Sequence, residues 1–277
     1  MMNLLRSFSV SGAIALAAVS SITPMAPSTA RTNPDAPNKL WGGFSAPTGI
    51  AVHPDGSVYI SNWGGGTVER ITEDGIRSTI MDGIAAPAGI AIDVTGAVFV
   101  ASYSGDYIVR VAPDGTRRRV AESLATPTGI AFAANGRLLV ANRAAGEILS
   151  IDPSNGSRRV IARSLSLPVG IVEMEDGSVV ASQYGGRVTR ILADGSTQEL
   201  GQSFSRPGVG ILADGPDAVA VIDNGAGLVR RVAFDGRSEV IADGFEGSAV
   251  ALARARNGDL LVGTWGAGAI YRTPAPR

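Results

Sequence analysis

The sequence predicts an all-β fold: a six-bladed β-propeller of four-stranded blades, with the last blade closed by an N-terminal strand. Three observations predict it. The chain repeats itself with a period of about forty residues. Every repeat holds short apolar, valine-rich runs separated by glycine-containing turns, the signature of short strands. The two ends of the repeat array are complementary fragments of one repeat.

The first repeat, SAPTGIAVHPDGSVYISNWGGGTVERITEDG, begins at Ser45. Residues 49–52 form a short apolar strand, and Asp55-Gly56 a tight turn that glycine permits at positive φ. Residues 58–61 and 67–71 follow as the second and third strands, and Asp74-Gly75 turns the chain into a fourth over 77–81. Further copies begin at Ala85, Ala125 and Ser166. The fifth, from Ser205, is looser but keeps Gly210-Ile211 and Asp235-Gly236; the sixth, from Glu246, keeps Asn257-Gly258 and then DLLVGTWGAGAIYRT. Strands apolar on both faces suit small sheets sandwiched between neighbouring sheets, as in a propeller. A parallel β-helix calls for shorter coils, and a βα repeat for helical periodicity that the sequence lacks.

Repeat six ends at Thr273 without a fourth strand, while residues 38–44 (NKLWGGF) lie one repeat upstream of 78–84 (STIMDGI). The N-terminal segment is therefore expected to complete the last blade, which removes the exposed edges of an open array.

Composition limits the function. Hydrophobic residues make up 45% of the 277 and charged residues 18%, which suits a buried core rather than disorder. The net charge of −1, without a basic block, argues against nucleic acid as a partner. There is no cysteine, so disulfides, thiolate metal sites and cysteine nucleophiles are excluded. Residues 1–30 read as a signal peptide: Arg6 for the positive region, the apolar run 11–22 and the small residues Ser28-Thr29-Ala30 for cleavage. That run falls short of the about 20 residues that span a bilayer. Residues 31–37 are then a leader and 38–277 the propeller, a secreted or periplasmic monomer with no membrane span in the mature chain.

Pro47-Thr48-Gly49-Ile50-Ala51-Val52, His53-Pro54-Asp55-Gly56, Val58 to Asn62 and Val68-Glu69-Arg70-Ile71 resemble the NHL repeat, and the likeness recurs over residues 38–277. The chain is also similar to the calcium-dependent gluconolactonase (SMP-30-like) family and, more distantly, to the virginiamycin B lyase group. These resemblances imply a ligand site at the mouth of the central channel.

In a propeller, the loops that connect fourth to first and second to third strands share one face. The register places Asn62, Ser102, Asn142, Gln183, Asp223 and Thr264 at equivalent positions there, all polar. One residue later stand Trp63, Tyr103, Arg143, Tyr184, Asn224 and Trp265. Four of these six are aromatic in a chain that is 5% aromatic. Trp265, Trp63 and Tyr103 fall on consecutive blades, with Arg143 and Asn224 across from them. Such a mouth, with an aromatic wall and a polar, partly cationic wall, suits an amphipathic or anionic small molecule or a peptide. The same residues also suit plain packing, with polar groups capping strand ends and aromatics covering blade edges.

The gluconolactonase resemblance implies calcium, which takes carboxylate and carbonyl oxygens. At the register where that family carries an acid, this chain has Thr48, Ala88, Thr128, Val169, Val209 and Val250. Asp106, Asp223 and Glu246 are the acids left near the face, and a weak Ca2+ site with Asn142 is the alternative they leave open. The lyase resemblance implies histidine chemistry, but the single histidine, His53, belongs to a turn on the opposite face and reads as exposed. A Ser-His-Asp triad fails for the same reason. Arg70, Arg110, Arg190, Arg231 and Arg272 recur at one register, broken by Ser150, and are expected to repeat an interblade hydrogen bond. The Asp-Gly pairs are turn chemistry. The function expected is capture of a small ligand or protein partner at the mouth, without catalysis, metal or cofactor. A lactonase-like hydrolase or lyase with a divergent metal site is the alternative.

Overall fold

The computed structural model describes residues 36–201 and 204–274. The expected signal peptide and most of the leader lie outside them. Six antiparallel four-stranded sheets succeed one another along the chain. Blade 1 comprises Pro47–Val52, Val58–Asn62, Thr67–Ile71 and Arg77–Met81. Blades 2 to 5 occupy residues 87–121, 127–162, 168–199 and 207–242. Blade 6 takes three strands from residues 248–273 and its fourth from Asn38–Trp41, which pairs with Ala269–Thr273, Asn38 opposite Arg272. Among the described residues no helix is long and apolar enough to cross a membrane.

The core is distributed over the interfaces between blades. One cluster joins Tyr59, Val68 and Met81 of blade 1 to Ile90, Val98 and Val100 of blade 2. Equivalent clusters occupy the other five interfaces, including Phe44, Ile60 and Ile71 with Leu261 and Ile270 across the ring closure. Alternate residues of each middle strand serve opposite neighbours, which is why these strands are apolar on both faces. Each such aliphatic side chain contributes about 1.5–3 kcal/mol on burial.

In blades 1 to 5 the glycine after the first-strand Thr, Ala or Val sets how closely neighbouring blades approach, whereas blade 6 has Ala251 there. A Cβ on Gly89 would lie 2.5 Å from the Thr128 carbonyl oxygen, and one on Gly170 would lie 2.5 Å from that of Val209. Only glycine lets the inner strands meet there.

The recurrent arginines act within blades, correcting the interblade expectation. Arg70 donates to Ser57 Oγ (3.1 Å) and Asp55 (3.0 Å), both in the turn of its own blade. Arg190 repeats this with Ser178 and Asp176, and Arg231 reaches Asp214. The interblade bond belongs to a different series at the start of the fourth strands. Arg77 donates to the Gly42 carbonyl (2.8 Å), Arg117 to that of Asp82 (3.4 Å) and Arg158 to that of Ser123 (3.2 Å). Each clasps the loop leaving the preceding blade.

Candidate functional site at the channel mouth

The loops entering the blades hold unusual backbone. Ala46, Ala86, Thr126 and Leu167 occupy one register with φ of 54°, 52°, 50° and 56°. The left-handed region costs a non-glycine residue about 1–2 kcal/mol. Their carbonyls accept the amides of Trp63 (3.1 Å), Tyr103 (3.1 Å), Arg143 (3.3 Å) and Tyr184 (2.9 Å). The strained segments thus fix four of the six residues whose side chains form the mouth.

The two rings read from the register have different fates. Asn62, Ser102, Asn142, Gln183, Asp223 and Thr264 are at most 5% exposed and lie behind the cavity wall rather than in it. Asn142 Oδ1 accepts the Ala125 amide (2.7 Å) and Gln183 Oε1 the Ser166 amide (2.6 Å). Asp223 accepts the Arg206 amide (3.0 Å) and Arg230 Nε (3.2 Å), while Ser102 donates to the Ala85 carbonyl (2.9 Å). Asn62 donates to Thr67 and Glu69. Standing at or next to the ends of their strands, most of these pin the entry loops.

The second ring comes together. Trp63, Tyr103, Arg143, Tyr184, Asn224 and Trp265 are all half-buried and surround one cavity of about 180 Å³. Trp63 lies 4.4 Å from Tyr103 and 5.9 Å from Trp265 between ring centroids, a continuous wall over three blades. Arg143 Nη1 donates to the Tyr103 hydroxyl (3.0 Å). Trp265 Nε1 donates to Thr48 Oγ1 (3.1 Å), and Asn224 Nδ2 to the Ala249 carbonyl (2.8 Å). Thr48, Thr128, Val169, Gly208, Val209 and Val250 form the floor. Beneath it the channel, about 150 Å³, is ringed by Ile50, Ile90, Ile130, Ile171, Ile211 and Leu252, one from each blade.

Arg206 is the neighbour that the register misses. It donates to the Tyr184 hydroxyl (3.0 Å), and its guanidinium lies 5.3 Å from that ring, which Arg143 approaches at 5.2 Å. It precedes Pro207, which pairs with Asp223 as Pro47 pairs with Asn62, so it takes the position of Ala46, Ala86, Thr126 and Leu167; the residue that the fifth repeat carries in excess falls between Pro207 and Ile211. Its sequence signal is an arginine before the proline that opens the first strand.

The acids near the face do not assemble into a calcium site. Asp106 accepts the Thr126 amide (2.8 Å), Asp223 is engaged as above, and Glu246 faces Lys39 (3.7 Å) and Tyr271 (3.3 Å). Among the described residues no three His, Asp or Glu side chains are grouped as metal ligands. Asp106, Asp223 and Glu246 are thus each engaged separately and do not converge on one cation. His53 is half-buried rather than exposed, edge-on to Tyr59 at 6.4 Å with Nδ1 2.8 Å from Asp55 Oδ1. It stands at the far end of the strand from Thr48, about 16 Å away at about 3.3 Å per residue.

These features define a six-bladed propeller with an aromatic collar over an apolar channel. Residues 39–275 match the model of the virginiamycin B lyase family, and the chain belongs to that family. Two solved structures of virginiamycin B lyase from Staphylococcus aureus share the fold. One has a TM-score of 0.66 and 21% identity over 85% of this chain and 83% of that one. The other, a catalytically inactive histidine-to-alanine variant with quinupristin, has a TM-score of 0.65 and 20% identity over 86% and 87%. A gluconolactonase from Xanthomonas campestris has a TM-score of 0.75 and 17% identity over 86% and 89%. No curated protein sequence matches the chain.

Proposed function

We propose that this chain is an exported, monomeric propeller that captures a small organic molecule at the channel mouth and does not transform it. The observation that carries the reading is the cavity lining. Aromatic faces, one guanidinium and the Asn224 amide surround a floor of valines, Gly208 and two threonines, and no carboxylate or imidazole is among the lining residues. Concave sites with apolar walls and a few placed polar groups are built for binding. General acid–base work requires a titratable group within about 3 Å of the reacting atom. The groups of that kind at this mouth are the two tyrosine hydroxyls, each already accepting from an arginine. Export rests on the layout of residues 1–30.

Family membership favours a second reading, a lyase acting on a compound such as the quinupristin of the Staphylococcus aureus structure. The single histidine lies on the opposite face, so this chain has no imidazole to place at the mouth. Incubating the purified protein with quinupristin, with and without divalent cations, and following it by liquid chromatography separates the readings. Intact quinupristin in every arm supports capture without turnover. Conversion abolished by Trp63→Ala/Trp265→Ala establishes a lyase and overturns it.

A further inference from the structure

The mouth carries an unbalanced charge. Most arginines of the described residues, such as Arg70, Arg117 and Arg231, have a carboxylate oxygen within 4.0 Å. Arg143 and Arg206 do not; each is held by a tyrosine hydroxyl, on Tyr103 and Tyr184. Both guanidinium groups approach the same Tyr184 ring, at 5.2 and 5.3 Å from its centroid. Two cations thus flank one tyrosine ring at the mouth, Arg143 beside the cavity floor, and no carboxylate of the described residues lies within 4.0 Å of either. Arg143 gives one N–H to Tyr103 and keeps the rest of its planar fork for another acceptor.

Resting on the capture reading above, we infer that the ligand is an organic carboxylate with a flat apolar body. The carboxylate lies on Arg143, with Arg206 holding Tyr184 and adding to the positive field, and the body lies against Trp63 and Trp265. A carboxylate matches the bidentate geometry of a guanidinium. A free phosphate shares the charge but calls for more donors than Val169, Val209 and Val250 leave around it. The cavity's 180 Å³ is the room of roughly six waters at about 30 Å³ each, which suits a one- or two-ring acid standing partly above the rim.

The test compares 2-naphthoate with neutral 2-naphthamide by titration calorimetry and tryptophan quenching, at low and high salt. Naphthoate is expected to bind at least tenfold tighter, with the preference shrinking as salt rises. Arg143→Gln should weaken naphthoate about ten- to hundredfold, the range of a charge-assisted hydrogen bond, and leave naphthamide unchanged. Arg206→Gln should cost naphthoate a smaller factor. Unchanged thermal melts for both variants establish that the fold is intact. Equal binding of the two probes overturns the carboxylate inference and leaves capture standing. Absence of binding by either at millimolar concentration overturns both. Displacement of naphthoate by inorganic phosphate at equal concentration makes the site a phosphate site and also overturns the inference.

Discussion

Arg137 Nε donates to Ser150 Oγ at 2.8 Å, the mirror image of a pair made elsewhere in the ring. In blades 1 and 4 the serine stands before the second strand and the arginine on the third, as Ser57 with Arg70 and Ser178 with Arg190. In blade 3 the two residue types have exchanged places and the bond survives. The interaction itself, rather than either residue, is the repeated feature. Ser150→Arg alone should set two guanidinium groups side by side, and Arg137→Ser alone should orphan Ser150. Each single change is expected to cost about 1 kcal/mol, discounted because the Arg137 side chain is 30% exposed. The double exchange should recover most of the loss. Urea titration of all four proteins reads the coupling, and strictly additive effects would deny it.

The inner ring gives a steric prediction. Gly89→Ala puts a methyl 2.5 Å from the Thr128 carbonyl oxygen and 2.8 Å from the Ile130 amide, both backbone atoms of the next blade. Neither can move without opening the ring, so the change should cost about 3 kcal/mol or more. Gly115→Ala is the control: its φ of 84° strains any side chain, but nothing lies within 4 Å. That substitution should cost only about 1–2 kcal/mol. Thermal denaturation of the two variants decides the matter, and equal losses would mean that blade contact is not the constraint.

The turns set the acid limit of stability. Ser178 donates its hydroxyl (2.6 Å) and amide (2.9 Å) to Asp176 Oδ1 and, with Arg190, holds that carboxyl below the usual carboxylate range. Asp194 and Asp152 are lowered in the same way by Ser196 and Ser154. A carboxyl lowered in the folded state adds stability that is complete above its unfolded value of about 3.9 and is lost as pH falls through the folded value. The melting temperature should therefore hold between pH 7 and pH 5 as far as these groups are concerned, and drop below about pH 4. Asp176→Asn together with Asp194→Asn should flatten the drop; an unchanged acid limb would acquit these turns.

Most of the fold was legible because a forty-residue period repeats its strands, turns and close-approach glycines often enough to fix the register. That same register found Trp63, Tyr103, Arg143, Tyr184, Asn224 and Trp265. It could not separate them from the ring one residue earlier, because an asparagine that caps a loop amide and one that faces a ligand are the same letter. Burial distinguishes them: Asn62 and Asn142 are buried, while Trp63 and Arg143 line the cavity. Arg206 was hidden because it stands in the entry loop, at the position held by Ala46, Ala86, Thr126 and Leu167 in other blades, where only a side chain as long as arginine reaches the mouth. The arginine series was legible in position but not in direction, since a long side chain reaches its own turn or the next blade equally well. Ser150 with Arg137 was the clue, a paired exchange inside one blade.

Adjacent residues of the two rings should respond in opposite ways. Asn142 is buried, and its Oδ1 accepts the Ala125 amide at 2.7 Å, so Asn142→Ala leaves that amide without a partner inside the protein. The loss should be about 1–3 kcal/mol of stability, the range for an unsatisfied buried group. Its effect on the cavity should be indirect, through loosening of the loop that carries Thr126. Arg143 is half-buried, and its one side-chain bond is to a hydroxyl that water can reach and satisfy once the guanidinium is gone. Arg143→Ala should therefore change the melting temperature little while weakening capture of an anionic probe. Denaturation and probe titration on the two variants form a two-by-two comparison. Loss of stability for Asn142→Ala with loss of binding for Arg143→Ala assigns the ring of Asn142 to the fold and the ring of Arg143 to the ligand. The reverse pattern would mean that the cavity wall has been drawn one residue out of place.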